Sequence, residues 1–103
     1  MPVPRKDAAY SIEAQARLFG ALADPMRLRF VHAVMDAGEA SGSEIADELG
    51  ISLALLCHHS KILVDAGAIR KTKAGQTTYY SANAPEIAAV FGALLGKKPA
   101  KKR

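Results

Sequence analysis

Between Ser41 and Gly67 the chain carries start and stop signals for two short helices with almost nothing between them. Ser41 and Glu44 have capping-box spacing, in which each side chain bonds the other residue's backbone N–H. Ile45, Ala46 and Leu49 give this helix an apolar face, and Gly50 suits the left-handed stop. After only Gly50 and Ile51, Ser52 stands as the cap of a helix reaching Asp65, with Gly67 as its terminator. Two helices joined by so tight a glycine turn form a helix-turn-helix. The rest of the chain has to pack round that pair.

Upstream, Ile12, Gln15/Ala16, Phe19 and Leu22/Ala23 recur on one face at helical spacing, which predicts a first amphipathic helix. Asp24-Pro25 then caps and opens a second helix that runs through Met35 and ends near Gly38. Downstream the period changes. Ala68–Lys73 and Thr77–Ser81 are rich in β-branched and aromatic residues, and Ala74-Gly75-Gln76 between them is a hairpin turn. Pro85 opens a last helix on which Ile87, Val90, Phe91, Leu94 and Leu95 share a face. The expected fold is mostly α with a β-hairpin wing: four helices, two strands, then a fifth helix. The expected organisation is a flexible N-terminal arm (1–10), one winged helix-turn-helix domain for DNA binding and dimerisation (11–96) and a basic disordered tail (97–103).

With 103 residues, the chain suffices for one domain that buries a modest share of its surface, so pairing with a second copy is a reasonable expectation. The N-terminus turns charged at Arg5-Lys6-Asp7 before any apolar run, so no leader is expected. No uncharged stretch is longer than Leu49 to Ser60, which is short of the ~20 residues a membrane span needs. A single cysteine, Cys57, rules out an intramolecular disulfide, and a cytoplasmic setting is expected. Residues 97–103 carry five of the 14 basic side chains and no acidic ones. The other 96 residues hold nine basic against ten acidic groups, a net of −1. The basic excess therefore sits in the tail, either to meet polyanions or simply as a solvated end, with a second cluster at Arg70, Lys71 and Lys73. No nucleophile–base–carboxylate set or phosphate-cradling glycine loop is present, and neither an enzyme nor a cofactor is expected.

A major groove about 12 Å wide admits one helix, and helix-turn-helix proteins insert the second of the pair. Here that helix starts after Ser52. Leu56, His59/Ser60 and Leu63 should look inward, which turns Ala54, Cys57, His58 and Lys61 outward. The outward face lacks Arg, Asn and Gln, the bidentate readers of guanine and adenine. His58 can make a hydrogen bond, Lys61 can neutralise a phosphate, and Leu53 or Ala54 can touch a thymine methyl. Ser43 and Ser52 lie at the two helix starts. Lys71, Lys73, Gln76 and Thr77 on the wing are expected near the flanking backbone or minor groove, positioning the protein rather than reading sequence. The bland reading is that many glycine-linked helix pairs bind no DNA; the order of five helices with a hairpin before the last weighs against it.

These residues resemble the ArsR/SmtB family of winged-helix repressors. Leu18 to Arg29 is similar to the family's ALADPTRLRIL entry into its second helix. Glu44 to Ser52 is similar to ELAEALGLS, His59 to Leu63 with Ala66-Gly67 to HLKVLREAG, and Gly75 to Tyr80 to GRxVYY. The match runs over about residues 12–95. It implies a homodimer built from the first and last helices, with Ile12, Phe19, Ile87, Val90, Phe91, Leu94 and Leu95 as interface candidates, binding an imperfect palindrome in double-stranded DNA. Ordinary packing within one subunit is the alternative for some of those seven.

The resemblance also raises the question of a sensor. Family members often carry a Cys-x-Cys pair where this chain has Ser41 and Ser43, and hydroxyls are poor ligands for a soft metal. The other common site lies on the last helix, where residues 84–96 offer only Glu86. Neither metal site is expected. Cys57, His58 and His59 project about 100° apart and cannot converge on one ion; Cys57 with a distant ligand such as His32 stays open. So does Cys57 alone as a thiol or metalloid sensor, where the family commonly has serine, or as a mere small side chain. A further alternative is a protein-interaction module that presents Leu53-Ala54-Leu55. The sequence names no inducer.

Overall fold

Side-chain caps set the starts of the first four helices in this computed structural model, which describes residues 11–96. The sequence-based arm (1–10) and basic tail (97–103) lie outside the described residues. Ser11 caps α1 (Ile12–Leu22) by accepting from the Ala14 N–H at 3.0 Å. Asp24 caps α2 (Pro25–Ala37) by accepting from Arg27 N–H at 3.1 Å, with Pro25 in the first turn, and Gly38 ends it at φ 81°. A two-residue strand, β1 (Ala40–Ser41), leads into α3 (Gly42–Leu49), and α4 (Leu53–Asp65) follows across Gly50-Ile51-Ser52. β2 (Ile69–Ala74) and β3 (Thr77–Ala82) form the hairpin, and α5 (Ala84–Leu94) closes the order.

The hairpin is in register from Ile69↔Ala82 to Ala74↔Thr77, leaving Gly75-Gln76 as a two-residue turn. Gly75 has φ 62°, a conformation that side chains resist and that two-residue hairpins require. β1 was not legible in the sequence. It pairs antiparallel with β3 through Ala40↔Tyr80 and Ser41↔Tyr79, so the sheet has three strands in the order β1-β3-β2. A two-residue strand leaves no periodicity to detect, and Ser41 was already accounted for as a helix cap.

Every helix contributes to one core: Leu18 from α1, Phe30 and Val34 from α2, Ile45 from α3, Leu56 and Leu63 from α4, Val90 from α5. Ile69 and Tyr80 bring in the sheet, with the Tyr80 ring edge-on to Phe30 at 5.4 Å. The buried side of α1 is Leu18 and Ala21, while Ile12, Ala16 and Ala23 of its amphipathic face are exposed, so α1 has apolar residues on two sides. One expectation is corrected here. Val90 is only 1% exposed, buried inside its own subunit, and so cannot face a second copy. No helix among the described residues is long and apolar enough to cross a membrane.

Candidate nucleic-acid interface

Backbone and cap bonds fix both ends of α3 and the start of α4. Ser41 N–H donates to Glu44 Oε1 at 2.9 Å and Glu44 N–H donates to Ser41 Oγ at 3.2 Å, completing the capping box. At the other end Gly50 adopts φ 69°, and Ile51 N–H donates to the Ala46 carbonyl at 3.0 Å. Ser52 Oγ then accepts from Leu55 N–H at 3.0 Å and starts α4. Thus the angle between the two helices is set by local chemistry, before any long-range packing.

α4 is fixed from behind. Leu56, His59, Ser60 and Leu63 are buried, as the periodicity predicted. Tyr80 O–H donates to Ser60 Oγ at 3.2 Å, and Ser60 Oγ donates to the Cys57 carbonyl at 2.9 Å, tying the wing strand to the helix backbone. From the other side Arg27 Nε donates to the Ala21 carbonyl at 2.6 Å while Arg27 Nη1 lies 3.4 Å from His59 Nδ1. Arginine has no acceptor, so Nδ1 accepts and the imidazole is neutral in this contact. These links join residues 20 and 32 apart in sequence, and no local pattern signals them.

Burial pushes the His59 imidazole below its ordinary value of 6.5; Asp24 pulls it back up, while Arg27 and His58 lower it further. The Arg27 backbone N–H is the chief cause holding the Asp24 carboxyl below its usual range. The sign follows for His59. Above 6.5 both folded and unfolded chains hold it neutral; below 6.5 the unfolded chain takes up a proton that the folded one resists. Stability should therefore be full above 6.5 and decline as the pH falls from there toward the lowered folded value. We expect the urea midpoint to drop between about pH 7.5 and about pH 5.5, and His59→Gln to flatten that slope. An equal slope in the variant would remove His59 as its source.

The opposite side of α4 is open. Leu53, Ala54, Leu55, Cys57, His58 and Lys61 are all exposed, as are Ser43 and Ser52. A cleft of about 200 Å³ lies where α3, α4 and β3 meet, lined by buried Leu56 and Tyr80 and by Ser43, Leu53, Cys57, Gln76 and Thr77. The fold thus brings five of the sequence-predicted residues to one place. Lys61 makes an exposed i,i+4 pair with Asp65 at 3.4 Å, a contact worth at most about 1 kcal/mol and readily given up to a phosphate. Lys71 and Lys73 are exposed on one face of β2, opposite Tyr80 and Thr78 in register. β2 is an edge strand, and its Arg70, Lys71 and Lys73 also guard it against pairing with another chain.

His32 is exposed on α2. Ser41 Oγ is engaged by the α3 cap. No group of three or more His, Cys, Asp or Glu side chains able to hold an ion forms among the described residues.

A second surface lies on α1 and α5. Phe19 and Phe91 meet edge-to-face at 5.2 Å. Around them Ile12 (73% exposed), Leu94 and Leu95 (70%) stand in solvent, and Ile87 is half-buried against the core. Leu95 falls just past the end of α5, as its C-cap.

Comparison with known proteins gives a consistent result. A helix-turn-helix domain model matches residues 22–72. The "Probable mercury resistance operon repressor" of Streptomyces lividans is 34% identical over 76 residues, 74% of this chain and 60% of that protein. The chain therefore matches somewhat under two thirds of that relative's length. The "Transcriptional repressor SdpR" of Bacillus subtilis is 33% identical over 66 residues, 64% of this chain and 72% of that one. Among solved structures, an ArsR family transcriptional regulator superposes with a TM-score of 0.73 at 29% identity, over 84% of this chain and 88% of that one.

Proposed function

The chain belongs to the ArsR/SmtB family of winged helix-turn-helix repressors, and from that premise we propose that it is a homodimeric, sequence-specific DNA-binding protein that represses transcription from an imperfect palindrome. One observation carries the reading. α4 is locked by Leu56, His59, Ser60 and Leu63 behind, while its open face shares a surface with the wing. A rigid helix beside a basic hairpin is what a major groove and its flanking phosphates accept. In this reading α4 enters the groove with Leu53, Ala54, Cys57 and His58 toward bases. Ser43, Ser52, Lys61, Lys71, Lys73, Gln76 and Thr77 hold the backbone. The exposed apolar residues of α1 and α5 bury against a second copy and set the spacing of two half-sites. The reading implies a cytoplasmic protein that catalyses no reaction.

The wing lysines supply the test. Lys71→Ala with Lys73→Ala should weaken all DNA by a similar factor and lower the slope of log affinity against log salt by about one per lysine, about four for a dimer. Both side chains are exposed on an edge strand, so the fold should hold. An unchanged salt slope, with binding intact, would take the wing out of the interface.

A further inference from the structure

The open face of α4 has an unusual chemistry for its task. Its first turn presents Leu53 (53% exposed), Ala54 and Leu55 (42% exposed), followed by Cys57 and His58. α4 contains no Arg, Asn or Gln anywhere, and its only lysine, Lys61, is a turn or more further on and paired with Asp65. Residues at the start of a recognition helix are those that reach base edges. So the groups best placed to meet bases here are methyl and methylene groups held on a fixed helix.

The surroundings say what such a face meets. Residues 53–82 carry four basic side chains, Lys61, Arg70, Lys71 and Lys73, against one acidic, Asp65. The hairpin that shares the cleft with α4 is therefore basic, which suits a polyanion. Every base pair presents donors and acceptors in the major groove, and the thymine 5-methyl is the group there that offers hydrocarbon a partner.

Resting on the DNA-binding reading, we infer that α4 reads its half-site chiefly through thymine 5-methyl groups, contacted by Leu53, Ala54 and Leu55, with base-edge hydrogen bonding left to His58. The protein is then a reader of methyl position within A·T pairs, and G·C pairs at those positions are disfavoured because they offer these side chains no methyl to bury.

The test begins with the duplex that the dimeric protein enriches from a randomised pool. The half-site thymines of that duplex are replaced by deoxyuridine, which removes the methyl groups and keeps every hydrogen-bonding group. Affinity should fall by about four-fold for each contacted methyl. Leu53→Ser with Leu55→Ser should lose most of the discrimination between the thymine and uracil duplexes, keeping at most the about four-fold of one Ala54 contact, with its affinity for scrambled DNA and its salt slope kept, which also shows that it is folded. Equal binding of the two duplexes by the unmodified protein overturns the inference and leaves the DNA-binding reading standing. So does a variant that discriminates them as strongly as the unmodified protein. If no duplex is enriched and scrambled DNA binds as well as any, the reading itself fails and this inference with it.

Discussion

Ile12→Glu combined with Leu94→Glu is expected to give a folded monomer whose affinity for its operator has dropped by about 10²- to 10⁴-fold. Both side chains stand mostly in solvent in the single chain, so a carboxylate at either place costs little there. A glutamate in the first turn of α1 even suits the helix dipole. In a dimer that buries this face, four carboxylates would be taken out of water without partners, a penalty of several kcal/mol each. Loss of pairing then removes the gain from holding two half-sites at once, which is why DNA binding falls so far with no DNA contact altered. Sedimentation should show the mass halve while the far-ultraviolet helix signal persists. A variant that stays dimeric would mean that the interface lies elsewhere.

The largest effect on stability is expected at Phe30. The side chain is fully buried, and its ring lies at 86° to that of Tyr80 with centroids 5.4 Å apart. Phe30→Ala should cost about 3–5 kcal/mol through the lost transfer energy and the cavity left behind. That is a large part of what a small domain has, typically about 5–15 kcal/mol in total. The consequence reaches the interface, because Tyr80 also holds Ser60 and, through it, the Cys57 carbonyl of α4. Leu28→Ala on the same helix is the control: Leu28 is exposed, and the change should cost well under about 1 kcal/mol. Urea denaturation of the two variants separates them. Equal midpoints would contradict the packing described for α2 against the sheet.

The features legible in the sequence were those written locally. The Ser41–Glu44 box, the Ser52 cap, the Asp24-Pro25 start and the glycine stops at Gly38, Gly50 and Gly67 all do in the structure what their residue types dictate. The inward side of α4 was also readable, because a 13-residue helix carries enough turns for the period to show. Less legible were choices between two plausible surfaces. α1 has apolar residues on both sides, and only the position of the other helices decides that Leu18 goes in and Ile12 stays out. Val90 shares a stripe with Phe91 and Leu94, yet one step round the helix turns it into the core. β1 and the Arg27–His59 contact depend on residues far apart in the chain, and neither leaves a mark in local composition. The outward residues of α4 and the wing could be named beforehand; that the cleft would gather Ser43, Leu53, Cys57, Gln76 and Thr77 could not.

This gathering makes the proposed interface a property of the fold and not of any one motif. Its cleanest test is a titration by fluorescence anisotropy, at near-physiological salt, of the palindromic duplex from the chain's own control region against a scrambled duplex of equal composition. The account predicts that the palindrome binds at least about 10³-fold more tightly, with two chains per duplex. Equal affinity for the two duplexes would contradict it.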